Sequence, residues 1–205
     1  MKHGVIILKP DFFEYGNEIK KLLSQLIIRN GLVLNQIYKI EDYGSFCEEY
    51  RAYDIARTEF TNQEAQTELL RTSYATYVYK QLFSDKVAAA MVFDGIEENK
   101  LYTGLSDLKK TIREYIKNNK KDEYYVDITD AKWHAFRHFD GDEISQDYLD
   151  SDKVKLAYLN GIHLEEEKLF NNDICYTFLV KKGVIPNGKK LNEKERGKVD
   201  EDFNI

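Results

Sequence analysis

Proline is nearly missing from this chain. Its 205 residues hold only Pro10 and Pro186, so the long Asp42–Asp85 stretch has no imino break to interrupt helices. Cysteine is as scarce: Cys47 and Cys175 are too few and too far apart for a disulfide scaffold or a thiolate metal cluster. They read as two reduced thiols of a cytoplasmic protein. No apolar run approaches the ~18 residues a membrane helix needs. The opening Met1–Pro10 has too short an apolar stretch and no small-residue cleavage site for a secretory leader. Excess positive charge is missing too. Thirty basic and thirty-six acidic residues leave a net charge of −6 and a pI near 5.4. That balance excludes a general polyanion binder and makes nucleic acid an unexpected partner, while leaving room for a local basic pocket. There is no Walker-type glycine loop, no Gly-x-Gly-x-x-Gly and no Gly-x-Ser-x-Gly. The commoner ways of cradling phosphate or making a serine nucleophile are thereby removed.

What is present suffices for a core: 42% hydrophobic and 13% aromatic residues, with a mean hydropathy of −0.58. At the usual ~150 residues per domain, one domain with elaborations is expected. Gly4 to Leu8 reads as a buried strand stopped at Lys9-Pro10-Asp11. Asp11 is then placed to cap a helix whose apolar stripe includes Phe12, Ile19, Leu22, Leu23, Leu26 and Ile27, ended by Arg29-Asn30-Gly31. Leu32 to Ile40 is a second strand. Asp42 to Asp85 is helical in character, with breaks at Gly44 and Thr61-Asn62. Val87 to Phe93, apolar throughout and rich in alanine, reads as a central strand. Leu105 to Lys117 follows as an amphipathic helix capped by Ser106 or Asp107. Tyr124 to Ile128 is a strand candidate within an insertion at 118–152, and Lys153 to Tyr158 a last short strand. Leu164 to Val180 reads as a helix. Residues 186–205, nearly all polar, read as a mobile tail behind a domain over 1–185. This order of elements predicts an α/β (α+β) fold: a ferredoxin-like antiparallel sheet with helices packed on it and a long helical hairpin.

Three short pieces in order, between Ile6 and His163, resemble the nucleoside diphosphate kinase family. Ile6-Ile7-Leu8-Lys9-Pro10-Asp11 is similar to its opening strand and Lys-Pro-Asp. Val87 to Gly95, with Thr103-Gly104 after it, looks like its central strand. Asn160-Gly161-Ile162-His163 is similar to its Asn-x-x-His. The resemblance implies a phosphotransferase that moves a γ-phosphate from a nucleoside triphosphate to a diphosphate through a phosphohistidine. It makes His163 the nucleophile and Lys9 the cation facing the phosphates. It places Asn160 and Tyr74, the latter as base clamp, among the nucleotide-binding residues, with Arg113, Arg137 or Lys153 as a substitute cation. Mg²⁺ is the implied cofactor, with no side chain assigned to hold it, and a homo-oligomer is possible. Glu165, Glu166 and Asp173 are unranked candidates to orient the imidazole. The chain departs from the family where Leu164 and Glu165 follow the histidine and Leu105 follows Thr103-Gly104. A carboxylate at Glu165 puts negative charge beside the expected phosphate. That motivates the alternative, a non-catalytic nucleotide-binding regulatory or assembly protein on the same fold.

One further cluster stands outside the resemblance. His134 and His138 at i and i+4, near Asp130, Asp140 and Asp142, have the spacing of a metal site. They lack the Glu of His-Glu-x-x-His, and a solvated surface or subunit contact is the plainer reading.

Overall fold

A computed structural model of the chain describes residues 3–55, 76–94, 98–119, 159–163 and 169–204. Strand β1, His3–Leu8, is buried from its second residue onward, as its unbroken apolar run requires. It leads into a 3-10 turn, Pro10–Tyr15, and helix α1, Gly16–Arg29. Gly16 makes that junction at φ +71°, in the left-handed region that glycine enters without strain. Strand β2 (Val33–Ile40) and helix α2 (Tyr43–Ile55) follow. Next come helix α3 (76–83) and strand β3 (Ala88–Asp94). Helix α4 (Glu98–Asn119), the two-residue strand β4 (Ile162–His163) and helix α5 (Leu169–Lys181) come next. A 3-10 turn (Pro186–Gly188) and helix α6 (Glu193–Phe203) end the described chain.

The four described strands form one antiparallel sheet in the order β2-β3-β1-β4. This is the expected mixed α/β architecture, consistent with a ferredoxin-like arrangement. Side-chain alternation then splits the interior into two cores. One face carries Val5, Ile7, Tyr38, Ile40, Ala88, Ala90 and Val92 against aromatics from α2, α3 and α5. Small side chains on the central strand are matched by large rings opposite, such as Tyr43 against Phe83 at 5.5 Å and Phe46 against Phe178 at 5.4 Å. The other face carries Ile6, Leu8, Ile37, Ala89, Met91 and Phe93 against α1 and α4. There α1 buries Ile19, Leu23 and Leu26, the spacing read from its apolar stripe.

Several boundaries move. α4 starts at Glu98 rather than Leu105, which puts Thr103-Gly104 inside a helix. Gly104 is there because a Cβ would crowd Leu32 Cδ2 at 3.0 Å and Asn30 Cβ at 3.2 Å. Asp107 is not a cap. Its carboxylate accepts from Arg29 (2.6 Å) and Asn30 (2.9 Å), tying α4 to the end of α1. Gly44 does not break the helical stretch but sits in the first turn of α2, where a Cβ would meet Ser84 N at 2.8 Å. Asp42 caps this end of the hairpin, accepting from the Ser45 amide and hydroxyl and from the Asp85 amide. The expected mobile tail is also corrected. Glu193–Phe203 is a helix with a reciprocal capping box between Asn192 and Glu195. Phe203 is buried and stacks on Phe13 at 5.0 Å. A polar composition concealed an anchored helix, whose few apolar side chains, Phe203 and Val199, pack on the α1–α4 core. The strand candidates at 124–128 and 153–158, and the histidine pair at 134 and 138, lie outside the described residues.

Candidate active site

The end of β1 and the start of β4 are stitched together. Lys9 donates its amide to the Gly161 carbonyl at 2.9 Å, and Ile7 stands opposite His163 in the ladder. Directly opposed residues of an antiparallel pair project on the same face, and Lys9, two residues beyond Ile7, shares that parity. Lys9 and His163 are therefore diagonal neighbours on the face covered by α2, α3 and α5. Such positions lie roughly 7–8 Å apart, within reach of long side chains.

Asp11 holds this junction. It does not cap α1, which begins five residues later after the 3-10 turn. Its Oδ2 accepts from the Gly161 amide at 2.6 Å, while Oδ1 lies 4.0 Å from Lys9 Nζ. Both side chains are buried, Lys9 at 0% exposure and Asp11 at 3%. The lysine ammonium also lies over the rings of Phe83 (5.3 Å) and Tyr79 (5.6 Å) from α3. Lys9, the cation that the resemblance sets facing the phosphates, is enclosed by a carboxylate and two aromatic faces, a compensated environment for a buried cation. Burial raises the Tyr79 phenol to about 12, so it stays neutral and acts as a hydroxyl at neutral pH. The deeper Tyr43 is pushed well above its ordinary value, again by burial first.

Gly161 occupies the left-handed region at φ +72°. A Cβ there would overlap the Ile116 Cδ1 of α4, so the Asn160-Gly161 turn is fitted against that helix. Asn160 is half-buried, and its Oδ1 is enclosed with no hydrogen-bond partner. His163 is half-buried too. Arg113 extends from α4, on the opposite face, to the same sheet edge. Its guanidinium donates twice to the Ile162 carbonyl, from Nη2 at 3.0 Å and Nε at 3.3 Å. It thus fastens β4 from outside the ladder.

Lys9, Asn160, His163 and Arg113 are accordingly brought to one corner of the sheet. Tyr74, Glu165 and Glu166 lie outside the described residues, as does the side chain of Asp173. Residues the sequence did not single out are Tyr79 and Phe83, which enclose Lys9, and the site-building role of Asp11. Only the placement of Asp11 within Lys9-Pro10-Asp11 offered a signal. Among the described residues no three His, Cys, Asp or Glu side chains group to hold a metal. Asp11, the carboxylate at this corner, is already engaged by Lys9 and Gly161. The described side chains at this corner therefore offer no group of carboxylates for a resident Mg²⁺. Cys47 and Cys175 are buried and form no disulfide. No helix among the described residues is long and apolar enough to cross a membrane. Comparison with protein-family models, with curated proteins and with solved structures finds no match for this chain.

Proposed function

We propose that the chain is a nucleotide phosphotransferase resembling nucleoside diphosphate kinases, with His163 as the phosphorylated nucleophile. The observation that carries this reading is the shared face of Lys9 and His163 at adjoining strand ends. In the first half-reaction an imidazole nitrogen of His163 attacks the γ-phosphorus of a triphosphate. A P–N bond forms, the bridging P–O bond breaks, and the diphosphate leaves with the electron pair. In the second, a terminal oxygen of an acceptor diphosphate attacks the phosphohistidine and the P–N bond breaks. Charge on the transferring group is spread over its oxygens, so the Lys9 ammonium and the Asn160 amide would act by electrostatic stabilisation. Mg²⁺ would enter as the metal–nucleotide complex. Tyr79 and Phe83 have to give way before Lys9 reaches a phosphate, which makes α3 the natural gate. Arg113 would position β4 through the Ile162 carbonyl.

Incubation with γ-labelled ATP, and with other triphosphates, tests this. The expected product is a base-stable, acid-labile label on the protein that is lost in His163→Ala and transferred to added diphosphate. Absence of label with every triphosphate would remove the phosphotransfer reading. The complete enclosure of Lys9 favours a second reading, a nucleotide-binding regulatory protein without turnover. Nucleotide binding that survives His163→Ala, with no label, would support it.

A further inference from the structure

At the far end of β1 from Lys9, the aromatic face of the sheet carries a second polar group of side chains. His3 stands directly opposite Asp94 in the β1–β3 ladder. Both project on the face that bears Val5 and Val92. The β2–β3 register slips between Leu34 and Gln36, and the extra residue, Asn35, reaches the same place, as bulges re-aim side chains. Its Nδ2 donates to Asp94 Oδ1 at 3.0 Å. Tyr176 of α5 stacks on the His3 ring, with centroids 4.1 Å apart and planes at 20°. The Tyr38 hydroxyl is near as well. Burial first, and then Tyr176 and Asp94, push its phenol up to about 12. Three strands and a helix thus converge on one carboxylate, roughly 20 Å along β1 from Lys9.

Two atoms of this group lack what burial demands. His3 Nδ1 and Asn35 Oδ1 are enclosed with no hydrogen-bond partner among the described residues, which is costly unless something meets them. The imidazole does face the carboxylate, but Nδ1 lies 3.5 Å from Asp94 Oδ1, too long for a good N–H···O bond. The spacing suits a bridging ion instead. Zinc binds imidazole nitrogen and carboxylate oxygen at about 2.0–2.2 Å, so two ligand atoms of its tetrahedral shell sit about 3.3–3.5 Å apart. The outer contacts of such a centre are present too. Asn35 Nδ2 holds the carboxylate, and the Tyr176 ring fixes the plane of the imidazole. The site is within reach of solvent, with the His3 side chain 25% and that of Asp94 31% exposed.

We propose that His3 Nδ1 and Asp94 Oδ1 bind a first-row divalent transition ion of the zinc type, which clips the ends of β1 and β3 together beside the Asn35 bulge of β2. One imidazole and one carboxylate fall short of the four protein ligands of a structural zinc centre. Water and the Asn35 amide oxygen complete the shell, and the ion exchanges. An imidazole ligand selects zinc-type ions over Mg²⁺. The proposal does not depend on phosphotransfer.

Zn²⁺ is titrated by calorimetry into the metal-free, untagged full-length chain and into three variants, with circular dichroism to check that all four fold alike. His3→Phe keeps a ring on Tyr176 and removes the nitrogen, while Asp94→Asn keeps the shape and removes the charge. Both are expected to lose one Zn²⁺ per chain, together with the rise in Tm that Zn²⁺ gives the natural chain. Asn35→Ala, which releases the carboxylate, is expected to weaken the same site about 10–100-fold. A site at His134 and His138 would be common to all four proteins and cancels in the difference. Equal Zn²⁺ stoichiometry in the natural chain and His3→Phe overturns the proposal. So does a loss on His3→Phe that Asp94→Asn does not share, the mark of a lone surface imidazole, or displacement of Zn²⁺ by an equal concentration of Mg²⁺.

Discussion

Gly161→Ala is the sharpest test of how the Asn160–His163 turn is built. Two terms add in this substitution. A non-glycine residue held at φ +72° costs about 1–2 kcal/mol for its left-handed backbone. The new methyl would also collide with Ile116 Cδ1, and overpacking of a filled core costs about 1–3 kcal/mol. Together they give a loss of about 2–5 kcal/mol, or roughly 4–20 °C in Tm for a chain of this size. The terms separate in a double-mutant cycle, because Ile116→Val removes the very atom in the way. That change alone costs about 0.5–1.5 kcal/mol. In its background the Gly161→Ala penalty is expected to fall to the backbone term, a coupling of about 1–3 kcal/mol. Urea unfolding of the four proteins by circular dichroism gives the numbers. Equal penalties in both backgrounds would refute the contact with α4, and a loss well under 1 kcal/mol alone would refute the left-handed turn.

Asp11→Asn keeps an acceptor for the Gly161 amide but leaves Lys9 without its counter-charge. Breaking a buried pair from one side is expected to cost about 3–5 kcal/mol by denaturant unfolding, whereas replacing both partners by apolar residues (Lys9→Met with Asp11→Leu) is expected to be near neutral. A trivial loss in the single variant would mean that water already reaches the pair. The Ser45 hydroxyl, followed by amides of the same hairpin end, holds the Asp42 carboxyl below its ordinary value. Its contribution is then fully present above the ordinary carboxyl range and lost as pH falls through the lowered folded value. Asp42→Asn should retain the cap yet flatten the acid limb of the stability curve. Asp42→Ala should also lose about 0.5–2 kcal/mol at neutral pH, and an unchanged acid limb in both variants would exclude the carboxylate as the cause.

The strands β1, β2 and β3 and helix α1 were legible because each announces itself locally. Apolar runs bounded by Pro10, Gly31 and Gly95 mark the strands, and a three-and-four spacing marks the helix. Their packing into an antiparallel sheet followed from that order. The failures share a cause. The start of α4, the role of Asp107 and the place of Gly104 depend on where α1 ends against α4, a contact between residues more than seventy positions apart. The C-terminal helix was hidden because composition averages over Phe203, whose ring partner Phe13 lies near the opposite end of the sequence. At the candidate site, parity and motif order brought Lys9 and His163 together. The enclosure of Lys9 was not readable, since it arises from Tyr79 and Phe83, two among many aromatics on a helix with no sequence link to the Lys-Pro-Asp segment.

The pairing of β1 with β4 has a consequence for biosynthesis. β1 emerges from the ribosome before either of its partners, and β3 can cover one of its sides once Asp94 has emerged. Its other side waits for Ile162 and His163, and at about 5–20 residues per second the intervening stretch takes about 3–14 s to make. For that interval the nascent polypeptide carries Lys9 and Asp11 with no Gly161 to close over them. Any affinity of this corner for a small molecule can arise only after His163 has emerged.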